Sequence, residues 1–415
     1  MPAATPIPRG PSVLTLYTAA DLMTGPGCPV CRYAGEASDR YLGWFALEAH
    51  AQAETITRLC ASLGMCPRHT RGLMSQPGAA ARLTAVYRYV VESARDRLRD
   101  GTVRLGRCPA CDHDEGAAGR ALDTLLEGLD DEPVRERYRE LGGLCLPHLR
   151  VASTRGGHRV VAWLSEAMTA TLSARPANPG WLAGIDRDAD VRAVLRQAAP
   201  ASARPGACIA CLAAARAEND HLSWVHRASS HSPQDRRLLL CAGHLNDLIV
   251  LAGQRDAVPL LAWQAGCLAA SLTRRPVSSS ARKWADPARW LRPLDRHAGR
   301  HDSCPVCRAS ADAAQRAVDE WRAMLRALPP DPDWRAPLCV RHLLGLRALD
   351  PWAGHVTARG AVERADMLIS ELNEAFRKGT WGHRHESRGQ EMTAWRRAAA
   401  FLDGGVFCGC PPRAV

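Results

Sequence analysis

Twelve of the sixteen cysteines and four of the fifteen histidines fall into one recurring pattern. Cys28 and Cys31 are followed by Cys66 and His69. Cys108 and Cys111 are followed by Cys145 and His148. Cys208 and Cys211 precede Cys241 and His244, and Cys304 and Cys307 precede Cys339 and His342. Each unit reads Cys-x-x-Cys, a gap, then Cys-x-x-His, with gaps of 34, 33, 29 and 31 residues and starts 80, 100 and 96 residues apart. A four-fold repeat is the economical reading. Two residues between ligands let both side chains turn toward one point. Three thiolates and one imidazole then complete a tetrahedron, a closed zinc site with Zn–S near 2.3 Å and Zn–N near 2.0–2.1 Å. The expectation is about four structural Zn2+ ions, each held within its own unit. Four protein ligands leave no open position for catalysis. Iron in a rubredoxin-like site or a cluster with one histidine is the alternative metal. Disulfides would leave the histidine without a role, and ordinary buried cysteines would leave the spacing without one.

Other candidate residues lie outside the repeat. His383, His385 and Glu386, with Glu391 nearby, form a cluster that suits metal binding or acid–base work, or else a polar surface turn. Cys408 and Cys410 read as an exposed tail dithiol among Gly404, Gly405 and Gly409. Cys60 and Cys267 sit in helical stripes and read as small core residues. No nucleophile elbow, phosphate loop, dinucleotide fingerprint or HExxH helix occurs, so no motif supports an enzyme and catalytic residues stay unassigned.

The elements that must position these ligands read as helices. Apolar residues recur at helical spacing in Tyr41, Trp44 and Phe45, in Leu122, Leu125, Leu126 and Leu129, and in Val318, Trp321, Leu325 and Leu328. A second stripe follows each histidine: Leu83, Val86, Tyr87, Val90 and Ala94; Val161, Leu164, Met168 and Leu172; Val258, Leu261, Ala265, Leu268 and Leu272; Ala365, Leu368, Ile369, Leu372 and Phe376. A short helix is expected over Pro133–Leu141 after the acidic entry Asp130, Asp131 and Glu132. Sustained strand alternation is absent. The predicted fold is all-α, with four tandem zinc-clipped modules over 20–103, 104–175, 207–274 and 304–378. Linkers at 176–206 and 275–303 and a tail at 379–415 complete the chain. Helical modules this small have thin cores, which a structural metal supplements.

The chain has 415 residues, too many for one ordinary core. Its 46% hydrophobic and 23% charged residues exclude global disorder. No stretch is long and apolar enough to span a membrane. No secretory leader is evident at the start, so a reducing cytoplasm is expected. The net charge of +11 is almost all arginine, with Lys283 and Lys378 the only lysines, and is weak evidence for a nucleic-acid partner. The segment 274–303 concentrates Arg274, Arg275, Arg282, Lys283, Arg289, Arg292, Arg296 and Arg300 around Trp284 and Trp290. Such a segment suits phosphate contacts with base stacking, or else serves as a solvated linker whose tryptophans dock on neighbouring modules.

The motifs also carry a resemblance. Cys108-Pro-Ala-Cys111, Asp131-Glu-Pro-Val-Arg-Glu-Arg and Gly142-Gly-Leu-Cys145-Leu-Pro-His148 resemble an uncharacterised family of bacterial and archaeal domains. That family joins a CPxCR-like knuckle, a helical middle with a D-P-x-x-R element and a GxCxxH end. Cys28-Pro-Val-Cys31-Arg32 with Gly64-Met-Cys66-Pro-Arg-His69, and Cys304-Pro-Val-Cys307-Arg308 with Cys339-Val-Arg-His342, fit it too. The third unit departs from it at Ile209 and Leu212. The resemblance implies metal ligands and a helical fold, and no activity. Three function classes follow: a zinc-binding scaffold or adaptor for a protein or nucleic-acid partner, an enzyme with a groove between modules, and a thiol or zinc redox sensor.

Overall fold

The computed structural model describes residues 12–25, 27–174, 184, 207–231, 240–241, 243–251, 260, 263, 304–327 and 337–404. Among them there are helices and no strands. In chain order the helices are α1 (Val13–Leu22), α2 (Pro29–Leu47), α3 (Ala53–Ser62), α4 (Pro67–Met74), α5 (Ala79–Asp100), α6 (Pro109–Gly128), α7 (Glu132–Leu141), α8 (Leu146–Arg155), α9 (His158–Ala174), α10 (Ile209–His231), α11 (Pro305–Ala327), α12 (Val340–Leu349), α13 (Pro351–Gly379) and α14 (Ala394–Asp403). Residues 243–251 are also helical. None of the helices is long and apolar enough to cross a membrane among the described residues. The linker segments 274–303 and 176–206 (Gly184 apart), the stripe Val258 to Leu272, and Cys267, Cys408 and Cys410 lie outside the described residues.

The chain divides into two compact units, each assembled from three segments. Unit 1 comprises Met1–Ala37, Asp114–Arg187 and Val225–Cys304. Its core gathers Ala19, Leu22 and Met23 from α1 and the turn after it, Leu122, Leu125, Leu126 and Leu129 from α6, Val134 and Tyr138 from α7, and Leu164 and Met168 from α9. Helix α7 begins where the acidic entry predicts it, with the Asp131 carboxylate accepting from the Val134 N–H at 3.4 Å.

Unit 2 comprises Ser38–His113, Asp188–Trp224 and Pro305–Val415. Its spine is α5 against α13. Helix α5 buries Leu83, Val86, Tyr87, Val90, Val91, Ala94 and Leu98 along one face, the three-and-four spacing of a core-facing stripe. Helix α13 answers with Ala358, Ala361, Ala365, Leu368, Ile369 and Leu372, whose small residues admit close approach. Each fully buried leucine or valine in this seam contributes about 1.5–3 kcal/mol of apolar transfer. Asp350 caps α13 by accepting from the Ala353 N–H at 3.1 Å, with Pro351 in the first turn.

Not every residue of the predicted stripes is inside. Trp44 and Phe376 are 41% and 45% exposed, while their stripe neighbours Phe45 and Leu372 are buried.

Candidate metal centres

Every Cys-x-x-Cys and Cys-x-x-His pair lies at a helix N-terminus. Pro29, Pro109, Ile209 and Pro305 open α2, α6, α10 and α11 one residue after the first cysteine of each knuckle. Cys66, Cys145 and Cys339 are themselves the N-caps of α4, α8 and α12, in extended conformation. A helix start exposes unpaired N–H groups and the positive end of the macrodipole, both of which favour thiolate over thiol. The turn into two of these pairs is shaped by left-handed backbone. Leu63 and Gly64 carry φ of 55° and 91°, and Gly142 and Gly143 carry 92° and 89°. After α3 the Gly64 N–H bonds the Leu59 carbonyl at 2.8 Å, and the Leu63 N–H bonds that of Cys60 at 3.4 Å, a Schellman ending. Leu63 meets the cost of its conformation by burying its side chain almost completely. Before Cys145, the buried Tyr138 hydroxyl accepts from the Leu144 N–H at 3.0 Å and fixes the approach to α8.

The sixteen side chains come together in four groups of three sulfurs and one imidazole, with the ligand atoms of each group within 4.8 Å of one another. The grouping is not the tandem one expected from the sequence. Cys28 and Cys31 meet Cys145 and His148, not Cys66 and His69. Cys66 and His69 meet Cys108 and Cys111. In the second half of the chain, Cys208 and Cys211 meet Cys339 and His342, while Cys241 and His244 meet Cys304 and Cys307. The first knuckle of each half thus joins the last Cys-x-x-His of that half, and the inner pairs join each other. The physical reason is the gap between the pairs. Each knuckle opens a helix of 19 to 23 residues that runs away from it. The Cys-x-x-His that follows it meets the helix start of a different knuckle.

The distances fit a tetrahedron. Arms of about 2.3 Å to sulfur and 2.05 Å to nitrogen give S···S edges of about 3.8 Å and S···N edges of about 3.6 Å. In the first group Cys31 and Cys145 sulfurs are 3.6 Å apart, and His148 Nδ1 is 3.5, 3.3 and 3.2 Å from Cys28, Cys31 and Cys145. In the second, the Cys66 and Cys111 sulfurs are 3.6 Å apart, and His69 Nδ1 is 3.2, 3.6 and 3.5 Å from Cys66, Cys108 and Cys111. In the third, the Cys211 and Cys339 sulfurs are 4.0 Å apart, with His342 Nδ1 3.4, 3.4 and 3.1 Å from Cys208, Cys211 and Cys339. In the fourth, His244 Nδ1 is 3.2 Å from Cys241 and 3.4 Å from Cys304. Nδ1 faces the sulfurs in all four groups.

Without a cation these groups are electrostatically frustrated. Burial pushes the Cys28 thiol up, but Cys145, Cys31 and His148 beside it hold it well below the usual thiol range. Burial, together with Cys28 and Cys31, keeps Cys145 well above that range. Burial lowers His148, yet Cys28 and Cys31 hold it up to about 10. Cys108 and Cys111 split in the same way, one lowered and one raised, through their contacts with each other and with Cys66. A divalent cation would remove the conflict, since three thiolates and a neutral imidazole would hold it and protons would be released on binding. The donor set therefore fits a metal.

The remaining candidates are placed differently. His383 Nδ1 is 2.9 Å from Glu386, which also accepts from Arg377 at 2.7 Å. Arg377 above all holds the Glu386 carboxyl down to about 2. Glu391 accepts from Lys378 at 3.0 Å. This is an exposed ion-pair turn after α13, and it is not among the metal-capable groups of the described residues. Cys60 is half-buried, and burial raises its thiol.

No family model matches the chain, and no curated protein or solved structure is similar to it. Among the described residues the protein is helical, with four Cys/His clusters able to hold a metal.

Proposed function

We propose that this protein is a multi-site zinc scaffold, in which the sixteen residues Cys28, Cys31, Cys145, His148; Cys66, His69, Cys108, Cys111; Cys208, Cys211, Cys339, His342; and Cys241, His244, Cys304, Cys307 bind four structural Zn2+ ions. The observation that carries this reading is the tetrahedral closeness of three sulfurs and one Nδ1 in each group. Thiolate-rich sets with one imidazole select Zn2+ among abundant divalent ions, and four protein ligands favour a structural over a catalytic ion. The ions hold helix N-termini together, and the helical faces they fix are presented to a protein partner. The basic segment 274–303, with Trp284 and Trp290 among its arginines, has a composition that suits nucleic acid or else a solvated linker. A cytoplasmic setting keeps the thiols reduced.

Elemental analysis of gel-filtered protein, prepared without chelator, tests the reading. About four zinc ions per chain are expected, with cooperative unfolding lost on chelation. One metal per chain or none, in protein that unfolds cooperatively regardless, overturns it.

A further inference from the structure

Two glycines that belong to no motif lie against the sulfurs of two groups. Gly184 has φ of +80°, and a Cβ placed on it would lie 3.0 Å from Cys31 Sγ and 3.3 Å from Cys145 Sγ. Gly404 has φ of +84°, and its Cβ would overlap Cys211 Sγ and lie 3.4 Å from Cys339 Sγ. Gly404 is buried and ends α14, its N–H donating to the Ala400 carbonyl at 3.0 Å. In both places two independent conditions demand glycine: a left-handed backbone and the absence of room for a side chain. The two positions also correspond in the chain. Each follows the Cys-x-x-His that closes the long-range group of its half, and each stands in an aromatic-Leu-x-Gly sequence, Trp181-Leu-Ala-Gly184 and Phe401-Leu-Asp-Gly404. At Gly64, Gly78, Gly101 and Gly143, which also have positive φ, an added Cβ would meet hydrocarbon, arginine or tyrosine and no cysteine sulfur.

We infer that Gly184 and Gly404 are backbone lids, one on each long-range metal site. This deepens the zinc-scaffold reading and rests on it for metal content. A peptide without a side chain is the thinnest cover that excludes water, so it shields the thiolates from chelators and oxidants without displacing the ion. Gly184 and Gly404 are therefore positioning residues that the ligand spacing does not reveal.

The test compares Gly184→Ala and Gly404→Ala with two controls in the full-length protein. Gly78→Ala strains a backbone of φ +70° where only the mobile Arg82 side chain is near, and Gly345→Ala sits in open space on α12. Metal per chain, helix content and the order of cysteine alkylation are read for each. Gly404→Ala is expected to lose one metal and to label Cys208, Cys211 and Cys339 roughly ten-fold faster than wild type, leaving the other groups shielded. Gly184→Ala should do the same for Cys28, Cys31 and Cys145. Both controls should keep all metals. Should Gly404→Ala lose helix content as a whole, the pair Cys211→Ala and Cys211→Ala/Gly404→Ala decides. Removing the Cys211 sulfur makes room for the methyl, so the second change should then cost no more than the backbone strain that Gly78→Ala reports. Lids are overturned if the alanine variants keep wild-type metal content and alkylation order, or if the penalties of Gly404→Ala and Cys211→Ala simply add. A wild-type protein without metal would defeat the zinc reading separately, while the alkylation comparison would still decide on the lids.

Discussion

The two kinds of metal group differ in how much chain they close. His148 and Cys31 are 117 residues apart and His342 and Cys211 are 131, whereas His69 and Cys111 are 42 apart and His244 and Cys304 are 60. The local geometry is nevertheless similar, with S···Nδ1 distances of 3.1–3.5 Å in the long-range groups and 3.2–3.6 Å in the short-range ones. Closing the 117-residue loop rather than the 42-residue one costs about 0.9 kcal/mol more chain entropy, a small sum beside the roughly 10–16 kcal/mol of a structural zinc. Distance along the chain is therefore no obstacle to pairing. What decides the partners is which helix N-termini the rigid elements can bring face to face. Gly184 and Gly404, the two described glycines whose added Cβ would meet ligand sulfurs, both lie at long-range groups, although the short-range group of Cys241, His244, Cys304 and Cys307 is the most buried of the four.

The largest effect is expected from His148→Ala against His69→Ala. His148→Ala should lose one metal and expose Cys28, Cys31 and Cys145 to alkylation, leaving Cys108 and Cys111 shielded. His69→Ala should expose Cys66, Cys108 and Cys111 and spare Cys28 and Cys31. Peptide mapping that found Cys108 and Cys111 labelled in His148→Ala would restore the tandem grouping and break the contrast between long-range and short-range sites.

A smaller effect is expected from Gly128→Ala in unit 1, where the new methyl would lie 2.6 Å from Ala19 Cβ and push α1 away from α6. Overpacking of this kind costs about 1–3 kcal/mol. Thermal unfolding should shift down, with the second group's Cys66, Cys108 and Cys111 still shielded because they belong to unit 2. Simultaneous exposure of those thiols would show that the two units do not respond separately.

Smallest is Asp366→Asn on α13. It removes exposed pairs to Arg95 and Arg99 at 3.2 and 3.1 Å, in the seam that supports the second and third groups. Surface pairs are worth about 0–1 kcal/mol. Denaturant unfolding should move by no more than that, with metal content unchanged. A larger loss would assign the α5–α13 seam an electrostatic contribution that its apolar packing does not require.

Much of this was readable from residues alone. The knuckle spacing names all sixteen side chains that the structure gathers, and the stripes on α5 and α13 name most of the buried seam between them. Partner choice was not readable, because Cys-x-x-Cys spacing constrains only its own turn and says nothing about which helix end arrives opposite. The lids were hidden for another reason. In sequence Gly184 stands in a Pro- and Gly-rich stretch and Gly404 beside the tail, both of which read as chain breaks. Tyr138 was hidden as well, since its hydroxyl serves a backbone N–H that no periodicity marks.

Nesting of the groups has a consequence for the order in which a ribosome delivers them. At about 5–20 residues per second, Cys31 waits about 6–23 s for His148, a separation of 117 residues. The Cys66-x-x-His69 pair appears well inside that interval, with ligand chemistry identical to that of the final partner. Cys108 and Cys111 follow, so the structural partners of Cys66 and His69 are in the chain before Cys145 and His148 arrive. In each half the ligands of the inner group are thus all synthesised before those of the outer group are complete, and the first knuckle is the one that waits.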